Sequence, residues 1–165
     1  MGREHQNGTP QRTSILIADD HEVARRGFRA ILELEPDLRV VAEAIDGREA
    51  VEKAKACAPD VILMDIGMSD INGMEATRRL QKELPNTEVL IVTMYYSLEL
   101  LEEAVQAGAK GYLLKSDADT ELIVAIHALC RHQSYFSPRL AGFQAGDYTT
   151  ARRNYRAPAD PERKP

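Results

Sequence analysis

Short apolar runs alternate along this chain with longer segments in which apolar residues recur at helical spacing. The runs are rich in branched aliphatic residues, which predicts buried strands, and they lie at residues 14–18, 38–44, 61–64, 89–92 and 111–114. The amphipathic segments predict five helices, at residues 21–35, 47–56, 72–83, 97–106 and 119–131. Strands that alternate with helices indicate a parallel sheet covered on both faces, so the predicted fold class is α/β.

Four of the predicted strands end in polar residues. Asp19 and Asp20 follow the first strand, Asp65 follows the third, Thr93 follows the fourth, and Lys115 follows the fifth. Ligands of open parallel sheets bind in the crevice beyond the carboxyl ends of the strands. Three carboxylates, a hydroxyl and an ammonium are therefore expected to meet at one edge, which suits a divalent cation and a phosphoryl group.

The residue types at this edge favour Mg²⁺ and phosphoryl chemistry. Carboxylates suit Mg²⁺, which is commonly shared between protein oxygens and phosphate. No histidine or cysteine cluster in the sequence competes for zinc or copper. We identify Asp65 as the candidate nucleophile, because a carboxylate that attacks phosphorus forms an aspartyl phosphate. Lys115, Thr93 and the metal would then align the group and neutralise its charge.

Length and composition limit the classes of protein. A chain of 165 residues fits one domain, and no apolar stretch reaches the ~20 residues of a membrane span. Two cysteines without metal-type spacing, Cys57 and Cys130, predict reduced thiols in a cytoplasmic protein. Residues 14–138 carry 22 acidic against 13 basic side chains, a net charge of −9. This charge argues against binding of this body to nucleic acid.

The chain divides into a folded body between two polar ends. Residues 1–13 contain Gly8 and Pro10 and predict a disordered leader, residues 14–137 predict the domain, and residues 138–165 predict a flexible tail or linker. The last predicted helix is apolar almost all round, so something covers more than one of its sides. Two interpretations stay open: the tail after Ser137 folds back over this helix, or another protein does.

Residues from about 13 to 137 resemble the receiver domain of two-component response regulators. Within this family, the chain most resembles receivers of the NarL/FixJ type, in which the receiver precedes a LuxR-like DNA-binding domain. The matching stretches are Ile-Ala-Asp-Asp-His at 17–21, Asp-Val-Ile-Leu-Met-Asp-Ile at 60–66, Asn-Gly-Met-Glu-Ala at 72–76, Val-Thr-Met at 92–94, and Ala-Gly-Ala-Lys-Gly-Tyr-Leu-Leu-Lys at 107–115.

The resemblance implies a fold and a set of roles. The fold would be flavodoxin-like, a three-layer α/β/α arrangement around a five-stranded parallel sheet of order 2-1-3-4-5. A sensor histidine kinase would phosphorylate Asp65, and Thr93 and Lys115 would contact the phosphoryl group. Mg²⁺ would be held by Asp20, by Asp65 and by the backbone carbonyl of Gly67, with Asp19 acting through water. The aromatic ring of Tyr112 would change orientation on activation.

The resemblance also implies an output, for which alternatives remain. The expected function is that of a phosphoacceptor rather than an enzyme, regulating transcription through a DNA-binding domain absent from this chain. The chain alone is not expected to bind specific DNA or a membrane. A second copy of the chain is an expected partner, in a homodimer formed through the fourth and fifth helices. The alternatives are a stand-alone receiver that acts by protein contacts and a phosphatase of the haloacid-dehalogenase type. The phosphatase needs a second Asp two residues after the nucleophile, where this chain has Gly67.

Tyr95 and Tyr96 depart from the subfamily, which often has a smaller or an acidic pair after the strand-end threonine. Two bulky rings beside the site are expected to shield an acyl phosphate from water and to slow its hydrolysis.

Overall fold

The computed structural model describes residues 10–140. Its strands are β1 Thr13–Ala18, β2 Leu38–Ala44, β3 Val61–Met64, β4 Glu88–Thr93, β5 Gly111–Leu114 and β6 Tyr135–Phe136. Its α-helices are α1 Glu22–Glu33, α2 Gly47–Cys57, α3 Gly73–Glu83, α4 Leu98–Ala107 and α5 Ala118–Cys130. Each helix lies within two residues of its predicted bounds at either end.

The strands form one parallel sheet in the order β2-β1-β3-β4-β5-β6. The predicted order of the first five strands is confirmed, but the predicted number of strands is one too few. The missed strand, β6, pairs Tyr135 with Gly111 and Phe136 with Tyr112. Two residues are too short to show a strand period, so the pattern of apolar positions could not reveal it.

Successive strand residues point to opposite faces and build two apolar clusters. In β1, Ile15 and Ile17 pack in a cluster with α1 and α5, whereas Leu16 and Ala18 pack in a second cluster with α2, α3 and α4. The four β1 side chains are at most 1% exposed. This double burial makes the strands apolar throughout and leaves their ends as the places for polar chemistry.

Side-chain caps fix the first turns of three helices. Asp46 accepts a hydrogen bond from the Glu49 N–H at 2.8 Å, and Asn72 accepts one from the Glu75 N–H at 3.0 Å. Ser97 caps α4 as predicted, accepting from the Leu100 N–H at 3.3 Å. These caps hold the starts of α2, α3 and α4 near the carboxyl edge of the sheet.

The helix α5 is buried on one side and partly exposed on another. Its buried side includes Leu122 and Leu129, and Tyr135 of β6 packs against the same cluster, while Val124 is 51% exposed. The segment after Ser137 continues as a short 3₁₀ helix, Pro138–Leu140, in which buried Leu140 joins the cluster of α2, α3 and α4. The folded chain therefore extends at least to residue 140, and Leu140 packs on the side of the sheet opposite α5.

The predicted leader and tail lie mostly outside the described residues, namely at 1–9 and 141–165. Within the part of the chain that the structure describes, none of the helices is long and apolar enough to span a lipid bilayer.

Candidate functional site

The polar residues at the strand ends converge at one edge of the sheet. Asp19 follows β1, Asp65 follows β3 and Lys115 follows β5. The Lys115 Nζ lies 2.7 Å from Asp19 Oδ2 and 3.4 Å from Asp65 Oδ2. Both aspartates are buried, at 1% and 6% exposure. The ammonium therefore bridges two carboxylates that lie largely out of contact with water.

The side chain of His21 lies beside the three carboxylates of the site. One ligand atom each from Asp19, Asp20, His21 and Asp65 lies within 4.8 Å of all the others. The His21 Nδ1 is 2.9 Å from Asp20 Oδ1 and 3.2 Å from Asp19 Oδ1. The sequence analysis assigned His21 no role in the site, although its position directly after Asp19 and Asp20 is a signal that places it there.

The local electrostatics favour a proton or a cation at Asp65. Burial and the charge of Asp19 raise the pKa of Asp65, although the Lys115 ammonium and the Ile66 N–H, 2.9 Å from Asp65 Oδ1, partly oppose them. Burial alone would lower the pKa of Lys115, but its close contact with Asp19 and the charges of the Asp19 and Asp65 carboxylates raise it above its usual value. Lys115 is therefore charged at neutral pH, and its one positive charge lies against two buried carboxylates.

Asp19 is incompletely satisfied. Its Oδ2 is fully buried and accepts no hydrogen bond of good angular geometry, even though the Lys115 Nζ is only 2.7 Å away. We regard this contact as an ion pair because of its length. Its Oδ1 accepts a hydrogen bond from the His21 N–H at 2.9 Å. A buried oxygen in this state has capacity for a further cation or donor.

Thr93 and Tyr112 both contact the backbone of Tyr95. The fully buried Thr93 hydroxyl accepts a hydrogen bond from the Tyr95 N–H at 3.3 Å. The Tyr112 hydroxyl donates to the Tyr95 carbonyl at 2.7 Å, and burial raises its pKa to about 12. The loop between β4 and α4 is therefore tied at one residue to both side chains for which a switching role is expected.

Gly67 lies two residues after Asp65 on the exposed side of the site. A Cβ atom on Gly67 would lie 3.9 Å from the Tyr95 hydroxyl and 4.0 Å from its Cε2. The Tyr95 ring therefore stands beside the position that a side chain at residue 67 would occupy.

Comparison with known proteins decides the family. Residues 15–127 match the family described as the response regulator receiver domain. The chain belongs to this family. The receiver domain is 41% identical over 127 residues to the oxygen regulatory protein NreC of Staphylococcus haemolyticus, covering 76% of this chain and 58% of that protein. It is 38% identical over 128 residues to the transcriptional regulatory protein LiaR of Bacillus subtilis, covering 78% and 61%.

Solved structures place the receiver domain in the NarL/LuxR group. A two-component response regulator of the LuxR family from Aurantimonas is 34% identical, with a TM-score of 0.78, covering 84% of this chain and 99% of that one. The signal receiver domain of the NarL regulator from Mycobacterium tuberculosis is 33% identical, with a TM-score of 0.71, covering 74% and 98%. The chain spans about three fifths of the length of the curated relatives that it matches.

Proposed function

We propose that Asp65 accepts a phosphoryl group from a phosphohistidine of a sensor histidine kinase, and that the domain acts as a switch rather than as a turnover enzyme. The observation that carries this proposal is the buried Asp65 carboxylate at the carboxyl edge of the sheet, 3.4 Å from the Lys115 ammonium. A haloacid-dehalogenase type of phosphatase is disfavoured, because Gly67 offers no acid or base at the required position.

Phosphoryl transfer to Asp65 is a simple displacement. An Asp65 oxygen attacks phosphorus, a P–O bond forms, and the P–N bond to the donor imidazole breaks. The departing nitrogen takes the bonding pair and is protonated. Lys115 supplies positive charge next to the attacked group, where charge stabilisation and alignment do most of the catalytic work.

The residues at the site fit Mg²⁺. Three of the four donor atoms in the cluster are carboxylate oxygens, the Lys115 ammonium contacts two of these carboxylates, and Asp19 Oδ2 keeps unused capacity. Asp20, Asp65 and the Gly67 carbonyl would hold the metal, with Asp19 acting through water. When bound, Mg²⁺ would neutralise charge on the transferred phosphoryl oxygens. His21 lies beside Asp20 and would orient its carboxylate.

The response to phosphorylation would run through Tyr95. If the Thr93 hydroxyl turns toward a phosphoryl group on Asp65, it gives up its bond to the Tyr95 N–H. The Tyr112 hydroxyl holds the carbonyl of the same residue, so the loop and the Tyr112 ring would move together. Phosphorylation then shifts a population between two arrangements of this loop.

The proposed output is transcription in the cytoplasm, through a DNA-binding domain outside this chain. LiaR is a transcriptional regulatory protein by name, and a LuxR-family structure from Staphylococcus aureus, 29% identical with a TM-score of 0.66, is that of a DNA-binding response regulator. An output through protein contacts is the second candidate, with a homodimer through α4 and α5 as one form of it. The exposed Leu98 of α4 and Val124 of α5, at 54% and 51%, favour this candidate.

The decisive experiment adds phosphoramidate and Mg²⁺ to the wild type and to Asp65→Asn, followed by intact mass measurement. We expect one acid-labile phosphoryl group on the wild type and none on the variant. Asp70→Asn is the matched control, because Asp70 lies on the same loop but is exposed and paired with Arg48. The proposal fails if the wild type takes no label or if Asp65→Asn is labelled equally.

A further inference from the structure

The backbone N–H of Leu114 needs an acceptor inside the protein. Leu114 ends β5, is 3% exposed, and is followed directly by Lys115. Buried N–H groups in folded proteins are almost always paired. Here the acceptor is the side-chain hydroxyl of Ser137, at 2.8 Å. The Ser137 side chain thus contacts the last strand residue before the catalytic lysine.

The hydroxyl stands in for the missing continuation of β6. The Ser137 N–H donates to the Tyr112 carbonyl at 2.9 Å, as in a parallel ladder. The next bond of such a ladder would run from the Leu114 N–H to the Ser137 carbonyl. That carbonyl instead accepts from the Leu140 N–H at 2.8 Å, which turns the chain into the short 3₁₀ helix. The hydroxyl allows the chain to leave the sheet while β5 stays fully bonded.

We infer that Ser137 is a positioning residue for Lys115, because its hydroxyl fixes the end of β5 from which the lysine reaches Asp19 and Asp65. This inference rests on the proposed role of Lys115 in phosphorylation. Ser137 is 1% exposed, so water does not replace its hydroxyl without rearrangement. The two ion pairs of Lys115, at 2.7 and 3.4 Å, depend on where the strand ends.

The first test compares phosphorylation rates with phosphoramidate and Mg²⁺. Ser137→Ala leaves the Leu114 N–H buried and unpaired, and we expect a rate about three- to tenfold below that of the wild type. Ser137→Thr keeps an acceptor and is expected to restore most of the rate. Ser134→Ala removes an exposed serine three residues earlier and is the matched control, expected to leave the rate unchanged. A rate for Ser137→Ala equal to that of the wild type overturns the inference.

A double-mutant cycle separates positioning of Lys115 from a general loss of structure. In a Lys115→Gln background, Ser137→Ala should change the rate less than twofold, because the side chain to be positioned is gone. An equally large effect in both backgrounds contradicts the inference.

A readout on the unphosphorylated protein keeps this inference distinct from the proposed function. Relative to the NMR spectrum of the wild type, the spectrum of Ser137→Ala should show a shifted ε-methylene signal for Lys115. The signal of Lys82, which lies on α3, should not shift. Ser137→Thr should restore the signal. An unmoved Lys115 signal defeats the inference, whereas a wild type that takes no phosphoryl group defeats only the proposed function.

Discussion

Tyr95 combines two separable roles at one residue. Its N–H and its carbonyl hydrogen-bond to Thr93 and Tyr112, whereas its ring lies beside Gly67. Because both hydrogen bonds use backbone atoms, a substitution at residue 95 removes the ring and leaves the two bonds possible. The effect of the ring can therefore be tested while the two hydrogen bonds of the proposed switch are kept.

We predict that Tyr95→Ala shortens the lifetime of the phosphoryl group on Asp65. The half-exposed Tyr95 ring lies next to Gly67, which has no side chain to shield the site. Without the ring, water approaches the acyl phosphate more easily, and a change of ~1 kcal/mol in the barrier would accelerate hydrolysis about fivefold. The decay of labelled protein, followed by intact mass after removal of the donor, measures this.

Tyr96→Ala is the matched control for that prediction. Tyr96 is also exposed, but its hydroxyl donates to the Arg139 carbonyl, away from Gly67. Its removal should leave the lifetime within about twofold of the wild type. Equal lifetimes for the wild type and Tyr95→Ala would show that the ring does not shield the site.

At the scale of elements, α3 begins in direct contact with the backbone of Asp65, the proposed phosphoacceptor. A Cβ atom on Gly73 would lie 2.0 Å from the Asp65 carbonyl oxygen, closer than any real contact. The Gly73 N–H also donates to the Ile66 carbonyl at 3.0 Å. The glycine is thus required by the close approach of the helix to the end of β3.

We predict opposite effects for two Gly→Ala substitutions in helices. Gly73→Ala must displace α3 or the Asp65 backbone, so both the free energy of unfolding and the phosphorylation rate should fall, the former by about 2 kcal/mol or more. Gly27→Ala, in α1, has no atom within 4 Å of the new Cβ and should raise the free energy of unfolding by about 0.5–1 kcal/mol. Urea unfolding and the phosphoramidate assay measure both quantities. A stable, normally phosphorylated Gly73→Ala would disprove the packing argument.

The elements also show how far the sequence alone reaches. Asp19, Asp65 and Lys115 were predictable because each follows an apolar run, and parallel strands place their carboxyl ends together. The strand β6 was not predictable, because a two-residue strand has no periodicity. The role of Ser137 was not predictable either, because the partner of its hydroxyl lies 23 residues away in the sequence. The contact between Tyr95 and Gly67 joins two loops, so only their shared position near the site could be expected.

At the scale of the whole molecule, the burial of Asp65 beside Asp19 lowers the stability of the fold at neutral pH. Asp65 is buried beside Asp19, and these two causes keep its pKa above the ordinary carboxyl value of 3.8 despite Lys115 and the Ile66 N–H. The folded state therefore binds the Asp65 proton more tightly than the unfolded chain does. Stability from this group is fully present below the unfolded-state pKa and is lost as the pH rises through the folded-state pKa.

We predict that Asp65→Asn is more stable than the wild type at pH 7 without Mg²⁺. The amide removes a charge that the folded state disfavours, and its oxygen can still accept the Ile66 N–H. The difference in melting temperature should shrink as the pH falls through the raised folded-state pKa and below the ordinary carboxyl value of 3.8, because the wild-type carboxyl then becomes protonated in both states. Thermal unfolding of both proteins across this pH range measures it, with Asp70→Asn as an exposed control.

Added Mg²⁺ should stabilise the wild type at pH 7 more than the variant, because binding to the folded state alone raises its stability. A wild type more stable than Asp65→Asn at pH 7 in the presence of a chelator would show that Lys115 outweighs burial at this site.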